Sequence, residues 1–239
     1  MSAQLQALWA TLGAGPLLFL TVTLLAHQAG MKLFHLSGGN PLVNPVLIAM
    51  GLIIGLLVAT GTSYPTYFDG AKFVHFLLGP ATVALAIPLY RQIQHVRRSL
   101  VGILAAVVVG SLTAIITAVG IAWALGASEK TLLSLAPKSA TAPVAMAIAE
   151  QVGGLPTLTA PVVILTGITG AMTATTLIRL LRIRDWRAGG LAIGLASHGI
   201  GTARAFQVNE LAGAFSGLAM GLNALATAIL VPLLLRLLF

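Results

Sequence analysis

Cysteine is absent from the 239 residues of this chain, and charged residues are scarce. The lack of cysteine excludes disulfides, thiol nucleophiles and thiolate metal sites, and it leaves the redox compartment undetermined. The five histidines are scattered and the five acids lack ligand spacing, so we expect no metal site and no cofactor. Because no set of nucleophile, base and orienting group can be assembled, we do not expect an enzyme.

Apolar residues dominate what is present. Hydrophobic residues make up 58% of the chain and charged residues 8%, and the mean hydropathy is +1.00. Ordinary soluble domains carry about one quarter charged residues. Charge-free windows occur at Leu33–Phe68, Ser99–Ser128, Gln151–Ile178 and Leu211–Leu235. Each exceeds the roughly 20 residues that a helix needs to cross a bilayer, so the sequence predicts an all-α, polytopic integral membrane protein.

We predict a single transmembrane domain over residues 1–239, with about seven spans and one re-entrant segment. The first span covers residues 7–26 and is retained, since no basic residue precedes it and no small-residue cleavage site follows. Asn44-Pro45 begins the second span, which ends near Gly61. The remaining spans are expected at residues 71–90, 99–126, 157–178, 189–206 and 212–235. The apolar part of segment 137–154 is too short to cross comfortably and is interpreted as re-entrant.

The net charge of +8 arises mainly from two basic loops, Arg91–Arg98 and Arg179–Arg187. Basic loops favour the cytoplasmic side, where anionic lipid attracts them. We therefore expect lipid, and not nucleic acid, to account for this charge.

An inverted repeat is predicted from residues 44–126 and 157–239. Asn44-Pro45-Val46 corresponds to Ala160-Pro161-Val162 at a spacing of 116, with Pro161 beginning its span, and Gly79–Thr82 corresponds to Gly199–Thr202 at a spacing of 120. With both basic loops inside, the two units run in opposite directions, each with a glycine-broken middle segment. Transporters built in this way bind substrate where their broken helices meet. If segment 137–154 crosses the membrane, the inversion fails.

Three polar, glycine- or proline-broken runs form the candidate site, which we expect near mid-membrane. Helix N-termini after such breaks are anion sites, and Lys138 and Arg204 add full positive charge. The expected ligand is therefore a small carboxylate. Both cations have an alternative role, as helix-end residues that extend to headgroups. The predicted substrate-binding residues are Gly79, Pro80, Thr82, Lys138, Ser139, Thr141, Ser197, His198, Gly199, Gly201, Thr202 and Arg204.

Three further residues could handle protons. His198 could bind substrate, accept a proton or remain a neutral histidine bonded within the bundle. Glu150 and Glu210 are the acids nearest the proposed site and are candidates for proton coupling. Either could instead lie at a water interface.

The runs Leu77–Tyr90, Pro137–Pro143, Ser197–Arg204 and Gly213–Met220 closely resemble the LrgB/CidB family, and the likeness extends from about Asn44 onward. Bacterial members were named antiholin-like or murein-hydrolase regulators and are commonly encoded beside a small holin-like LrgA/CidA partner. The plastidial glycolate/glycerate translocator looks like a fusion of both parts. The resemblance implies a protein of the bacterial cytoplasmic (inner) membrane.

Two functions follow from this resemblance. The first is transport of small organic acids of the glycolate, glycerate, pyruvate or lactate class, with proton coupling and the small partner as open features. The second is regulation of murein hydrolases and autolysis without transport. A homodimer is expected by analogy, because movement of one bundle against another needs a fixed frame.

Overall fold

A computed structural model describes residues 16–238, and every secondary-structure element within them is an α-helix. Residues 7–15 of the predicted first span lie outside the described residues. Contacts divide the chain into two compact units, with the boundary between Ala84 and Leu85. The single domain predicted over residues 1–239 stays a prediction.

The first unit contains four described helices: α1 (Pro16–Leu36), α2 (Pro45–Thr60), α3 (Tyr64–Phe76) and α4 (Leu78–Ala84). Helix α1 packs against α2 at Gly30, where a Cβ would overlap the carbonyl of Pro45. It packs against α3 through Phe19 and Thr23. The ring of Phe19 meets the edge of Tyr67 at 5.7 Å, and the hydroxyls of Thr23 and Tyr67 are 3.0 Å apart.

The prediction that the first span ends at Ala26 is wrong, because α1 continues to Leu36. The polar residues after Ala26 suggested a loop, but polarity alone does not end a helix. The helix stops only where Gly38 and Gly39 take left-handed backbone angles, with φ of 71° and 78°.

Helix α2 begins and ends where the sequence predicted. Asn44 Oδ1 accepts from the backbone N–H groups of Val46 and Leu47 at 2.9 and 3.1 Å, Pro45 is the first helical residue, and Gly61 ends the helix with φ of 68°. At 16 residues, α2 is about 24 Å long, which is shorter than the roughly 30 Å hydrocarbon core.

The second unit contains eight described helices. They are α5 (Ala86–Arg91), α6 (Ile93–Arg98), α7 (Leu100–Ala124), α8 (Glu129–Leu135), α9 (Ala142–Gln151), α10 (Pro156–Leu180), α11 (Trp186–Val208) and α12 (Glu210–Leu238). Helices α7, α10 and α12 are the long ones, and two apolar clusters lie between them. One joins α7, α8 and α12 around Val119, Leu132 and Val231, and the other joins α7, α11 and α12 around Ile103 and Phe215.

Five stretches among the described residues are long and apolar enough to cross a membrane. They are Leu17–Leu36, Tyr64–Arg91, Leu100–Ala124, Pro156–Leu180 and Glu210–Arg236. The predicted count of about seven is not confirmed, because α2 is short and residues 189–206 do not form one continuous crossing helix. The sequence predicts a break at Gly79-Pro80 within residues 71–90. The helices instead break at Leu77 and Leu85, and Pro80 is the third residue of α4. Proline there cannot donate to the carbonyl of Phe76.

Helix α11 is a hairpin of two arms, residues 186–197 and 199–208, which reverse at His198. That residue has φ of 40° and ψ of −135°. Ile193 of the first arm and Ala205 of the second pack together with Ala212 of α12. Trp186 and Val208, at opposite ends of α11, line the same cavity of about 50 Å³. The first arm therefore begins, and the second arm ends, at the same end of the unit.

The prediction that residues 189–206 cross the membrane is therefore wrong. The reversal occurs within Ser197-His-Gly-Ile-Gly201, where glycine is about 1 kcal/mol less favourable than alanine in a continuing helix. Apolar composition predicts burial, but it does not distinguish a crossing helix from one that turns back.

Two polar contacts locate the open end of the α11 hairpin. Arg187 Nη1 donates to Ser99 Oγ at 3.5 Å, and Arg91 Nη1 lies 3.7 Å from Glu210 Oε1. Both basic segments thus lie at one end of the second unit, where α7 begins. Asp185 caps α11 there, and hydrogen bonds from the Arg187 side chain hold the pKa of that carboxyl below its usual range.

Residues 129–155 enter from the opposite end, where α7 finishes. After α8, a turn at 136–141 leads into α9, and the chain then returns to the last turn of α8. The backbone N–H of Leu155 donates to Ser134 Oγ at 2.8 Å, and Thr159 Oγ1 donates to the Ser134 carbonyl at 3.0 Å. This is the backbone path of a re-entrant segment, and its insertion into a membrane stays a prediction.

The inverted repeat is not confirmed. Pro45 is the first residue of α2, whereas α10 begins at Pro156 and contains Pro161 inside the helix. The prediction that Pro161 begins its span is therefore wrong. Pro156 suits the first helical position better, since its missing N–H has no intrahelical partner there.

The hairpin predicts same-side labelling of its two ends. Because the chain has no native thiol, single variants Arg184→Cys and Gln207→Cys should both react with a membrane-impermeant maleimide from one face of oriented vesicles. The control Glu129→Cys, at the other end of the second unit, should react from the opposite face. Labelling of Arg184→Cys and Gln207→Cys from opposite faces would show that α11 crosses.

Candidate functional site

The tips of the two re-entering segments meet at the side chain of Asn223. Its Nδ2 donates to the carbonyl of Ser139, between α8 and α9, at 2.9 Å, and to the carbonyl of Leu195, in the first arm of α11, at 3.3 Å. Its Oδ1 accepts from Ser111 Oγ at 2.7 Å and from Thr227 Oγ1 at 3.4 Å. Asn223 is 0% exposed, and these four bonds satisfy both amide hydrogens and both oxygen lone pairs.

This meeting point lies halfway along the long helices. Asn223 is in the middle of α12, about 20 Å from Glu210 at a rise of 1.5 Å per residue. Ser111 is near the middle of α7, and the stretch of α10 that touches the α11 tip centres on Gly167. Since all three helices are long enough to cross a bilayer, the meeting point is expected at mid-depth.

His198, at the α11 tip, is fixed against α10. Its Nε2 is 2.8 Å from the carbonyl of Val163, which is 0% exposed, and the histidine itself is 5% exposed. A carbonyl only accepts, so Nε2 carries the proton in this bond. The imidazole is therefore held in one orientation inside the bundle, the bonded role that the sequence left open as one of three alternatives.

Glycines allow the α11 hairpin to pack closely against α10 and α12. A Cβ on Gly167 would overlap the imidazole of His198, and one on Gly170 would overlap the hydroxyl of Ser197. On α12, the backbone carbonyl of Ser216 approaches Gly194 too closely for any Cβ. Glycine is needed at these positions because the neighbouring backbone and the tip occupy the space that a side chain would take.

The second arm of α11 begins beside the same region. Thr202 Oγ1 donates to the carbonyl of His198 at 2.8 Å, and it is 2.9 Å from Ser216 Oγ. Gly201 lies against Ser197 and Ile193, where a Cβ would not fit. The predicted residues Ser197, His198, Gly201 and Thr202 are thus brought together, with Gly199 between them facing Met220.

The other tip contributes a cation and two hydroxyls. Lys138 is partly buried, and its Nζ lies 3.5 Å from Ser139 Oγ. Thr141 precedes α9 in extended conformation, and its side chain makes no capping hydrogen bond. The described ion pairs are Lys72–Asp69, Arg91–Glu210 and Arg187–Asp185, so Lys138 takes part in none of them. A positive charge, hydroxyls and the start of a 10-residue helix therefore lie together.

Arg204, Glu150 and Glu210 lie away from the tips. Arg204 is six residues past the reversal, about 9 Å along the helix, and donates to Gln207 Oε1 at 3.2 Å. Glu150 is exposed near the end of α9, and Glu210 is 61% exposed at the start of α12. The interface position left open for these acids fits this placement, and their role in proton coupling stays a prediction.

Gly79, Pro80 and Thr82 belong to α4 in the first unit. Their predicted place beside the other two breaks stays a prediction. Within residues 16–238, no three His, Asp or Glu side chains come together as metal ligands would.

Sequence reasoning missed Asn223, the residue on which both tips converge. Charges and helix breaks marked the candidate residues, and Asn223 is neither charged nor beside a break. An isolated amide inside a 27-residue apolar stretch was the available signal, because polar side chains in membrane helices bond to neighbouring helices. Ser111, Val163 and Ser216 gave no comparable signal.

Comparison with known sequences identifies the family. The sequence model of the LrgB-like family matches residues 23–237. The chain belongs to the LrgB-like family. Its LrgB-like relatives include two uncharacterized Bacillus subtilis proteins, YxaC and YwbG. They are 37% and 36% identical and cover 91% of this chain and 94% and 96% of their own lengths. No solved structure matches.

A further LrgB-like relative carries a functional name. The antiholin-like protein LrgB of Bacillus cereus is 32% identical over 91% of this chain and 95% of its own length. The resemblance read from the sequence motifs is thereby confirmed. Family membership and the five long apolar stretches together identify a membrane protein.

The close packing at glycines predicts that two glycine-to-alanine variants differ in stability. Gly194→Ala should lower the free energy of unfolding by about 1–3 kcal/mol, because its Cβ would meet the fixed carbonyl of Ser216. Gly221→Ala, on α12 with open space around it, should leave stability unchanged or raise it by up to about 1 kcal/mol. Thermal unfolding in detergent measures both, and equal midpoints for the two variants would contradict the close packing of Gly194 against Ser216.

Proposed function

We propose that this protein transports small organic anions of the monocarboxylate class, such as glycolate, glycerate, pyruvate or lactate, across the bacterial cytoplasmic membrane. The observation that carries the proposal is Lys138. It is a partly buried cation in none of the described ion pairs, at the point where two re-entering segments meet halfway along three long helices. A charge at such depth is expensive unless it serves a ligand or an ion path.

The surroundings of Lys138 suit a carboxylate. The start of α9 presents unpaired backbone N–H groups and a partial positive charge, and the hydroxyl of Thr141 is not used to cap it. The apolar residues around the tips, such as Ala140, Ala145 and Val163, leave room for few further polar contacts. A ligand with one carboxylate and a short polar tail matches this set better than a di- or tricarboxylate.

The two tips also offer a path for alternating access. One segment enters from each end of the second unit. Each segment therefore lies between the meeting point and one side of the membrane. Opening of one tip at a time would expose the ligand to one side and then to the other. The family resemblance to the glycolate/glycerate translocator supports the same substrate class, and a homodimer and a small LrgA/CidA-like partner are part of the proposal.

Regulation of autolysis is the second candidate, favoured by the antiholin-like name of the Bacillus cereus relative. Under that function the chain would act on a holin-like partner, and Lys138 would need no ligand. Purified protein in proteoliposomes, alone and with the small partner, separates the two. Saturable uptake of labelled glycolate, glycerate, pyruvate or lactate supports transport. No saturable flux in either sample at several pH values would refute it.

The role of Lys138 predicts a charge-specific loss. Lys138→Met should reduce uptake about 10- to 100-fold, the equivalent of a lost charge-assisted hydrogen bond, while Lys138→Arg should keep a measurable part of it. The matched control is Lys130→Met, an exposed lysine at the start of α8, which should transport normally. Uptake by Lys138→Met at the level of Lys130→Met would place the anion site elsewhere.

A further inference from the structure

A helix that breaks inside a membrane leaves backbone carbonyls without partners. The first arm of α11 ends where the backbone reverses at His198. The last carbonyls of an α-helix have no donors within that helix. Water is not available in the hydrocarbon core to replace them, so each needs a protein donor. Leu195 carries one of these carbonyls, and its partner is the amide of Asn223.

The second tip presents the same problem. The carbonyl of Ser139 lies in the turn between α8 and α9, outside any helix, and Ser139 is buried. Its donor is the other hydrogen of the same Asn223 amide, at 2.9 Å. One planar group therefore spans the two tips, which fixes the distance and the direction between them.

The amide is itself held in a single orientation. Ser111 from α7 and Thr227 from α12 both donate to Oδ1, so the nitrogen must face the two carbonyls. Asn223 is in the middle of α12, so it attaches both tips to a helix that does not break.

We propose that Asn223 is a positioning residue that joins the two tips into one binding site for the transported anion. The inference rests on the proposed function, because it assigns to Asn223 the alignment of Lys138 and the α9 start with the α11 tip. Asn223 does not itself touch the anion. It sets where the groups that do so lie.

The first experiment measures the geometry of the two tips and does not depend on transport. Ala147 in α9 and Ala192 in the first arm of α11 are exposed, and the chain has no other thiol, so Ala147→Cys and Ala192→Cys take spin labels cleanly. Pulsed electron–electron double resonance should give one narrow distribution of the distance between the two labels. Adding Asn223→Leu should broaden or shift it, because both carbonyls lose their donor. An unchanged distribution would overturn the proposal.

A matched control separates positioning from stability. Thr159 is 0% exposed, and its hydroxyl donates to the carbonyls of Ser134 and Leu155 at the start of α10, one turn before Val163. Thr159→Val also removes buried hydrogen bonds, so it should lower the melting temperature as Asn223→Leu does. It should leave the distance distribution narrow. Equal broadening in both variants would mean general loosening and would overturn the specific role of Asn223.

The second experiment measures uptake of labelled pyruvate and glycolate. Asn223→Leu should raise KM by about tenfold or more while the maximal rate per inserted molecule changes little, since misaligned binding groups weaken the affinity for the anion. Thr159→Val should keep the KM of the unmodified protein. An unchanged KM in Asn223→Leu would overturn the proposal, whereas absence of flux in the unmodified protein would refute the transport function and leave the distance measurement to decide whether Asn223 joins the tips.

Discussion

A backbone carbonyl inside a membrane must find a protein donor, and this constraint governs the second unit. Two chain segments break halfway along the long helices, and each break leaves carbonyls that need donors from elsewhere in the protein. Asn223 supplies donors to both segments, and Thr202 supplies one to His198. Because Asn223 lies on the unbroken helix α12, its amide holds both tips against the middle of that helix. The hydrogen-bonding requirement thus fixes the place where the chain turns back.

The same breaks that leave carbonyls unpaired also create helix starts with unpaired N–H groups. At the α9 start these groups lie beside Lys138 and Thr141, so the region combines a partial and a full positive charge. Glycines on α10 allow the α11 tip to sit against the helix, and His198 fills the space next to Gly167. The proposed anion site therefore relies on backbone geometry, with few charged side chains, in line with the low charge content of the chain.

Local rules predicted the helix ends that are set by capping, and they failed where tertiary contacts decide. Asn44-Pro45 and Gly61 bound α2 as expected, since capping depends on adjacent residues only. The direction of α11 could not be read from its composition, because a crossing helix and a hairpin are equally apolar. Charge drew attention to Arg204, although it lies toward the open end of the hairpin, and lack of charge concealed Asn223. The family was readable because its motifs are contiguous in sequence.

The central claim is that two re-entering segments meet at Asn223 and hold a carboxylate beside Lys138. A cryo-electron microscopy map of the protein in lipid nanodiscs with saturating pyruvate tests it most directly. We predict density for α11 as a hairpin, the carbonyls of Ser139 and Leu195 both within hydrogen-bond distance of the Asn223 amide, and ligand density next to Lys138 Nζ. A continuous α11 that crosses the bilayer, or ligand density remote from both tips, would contradict the account.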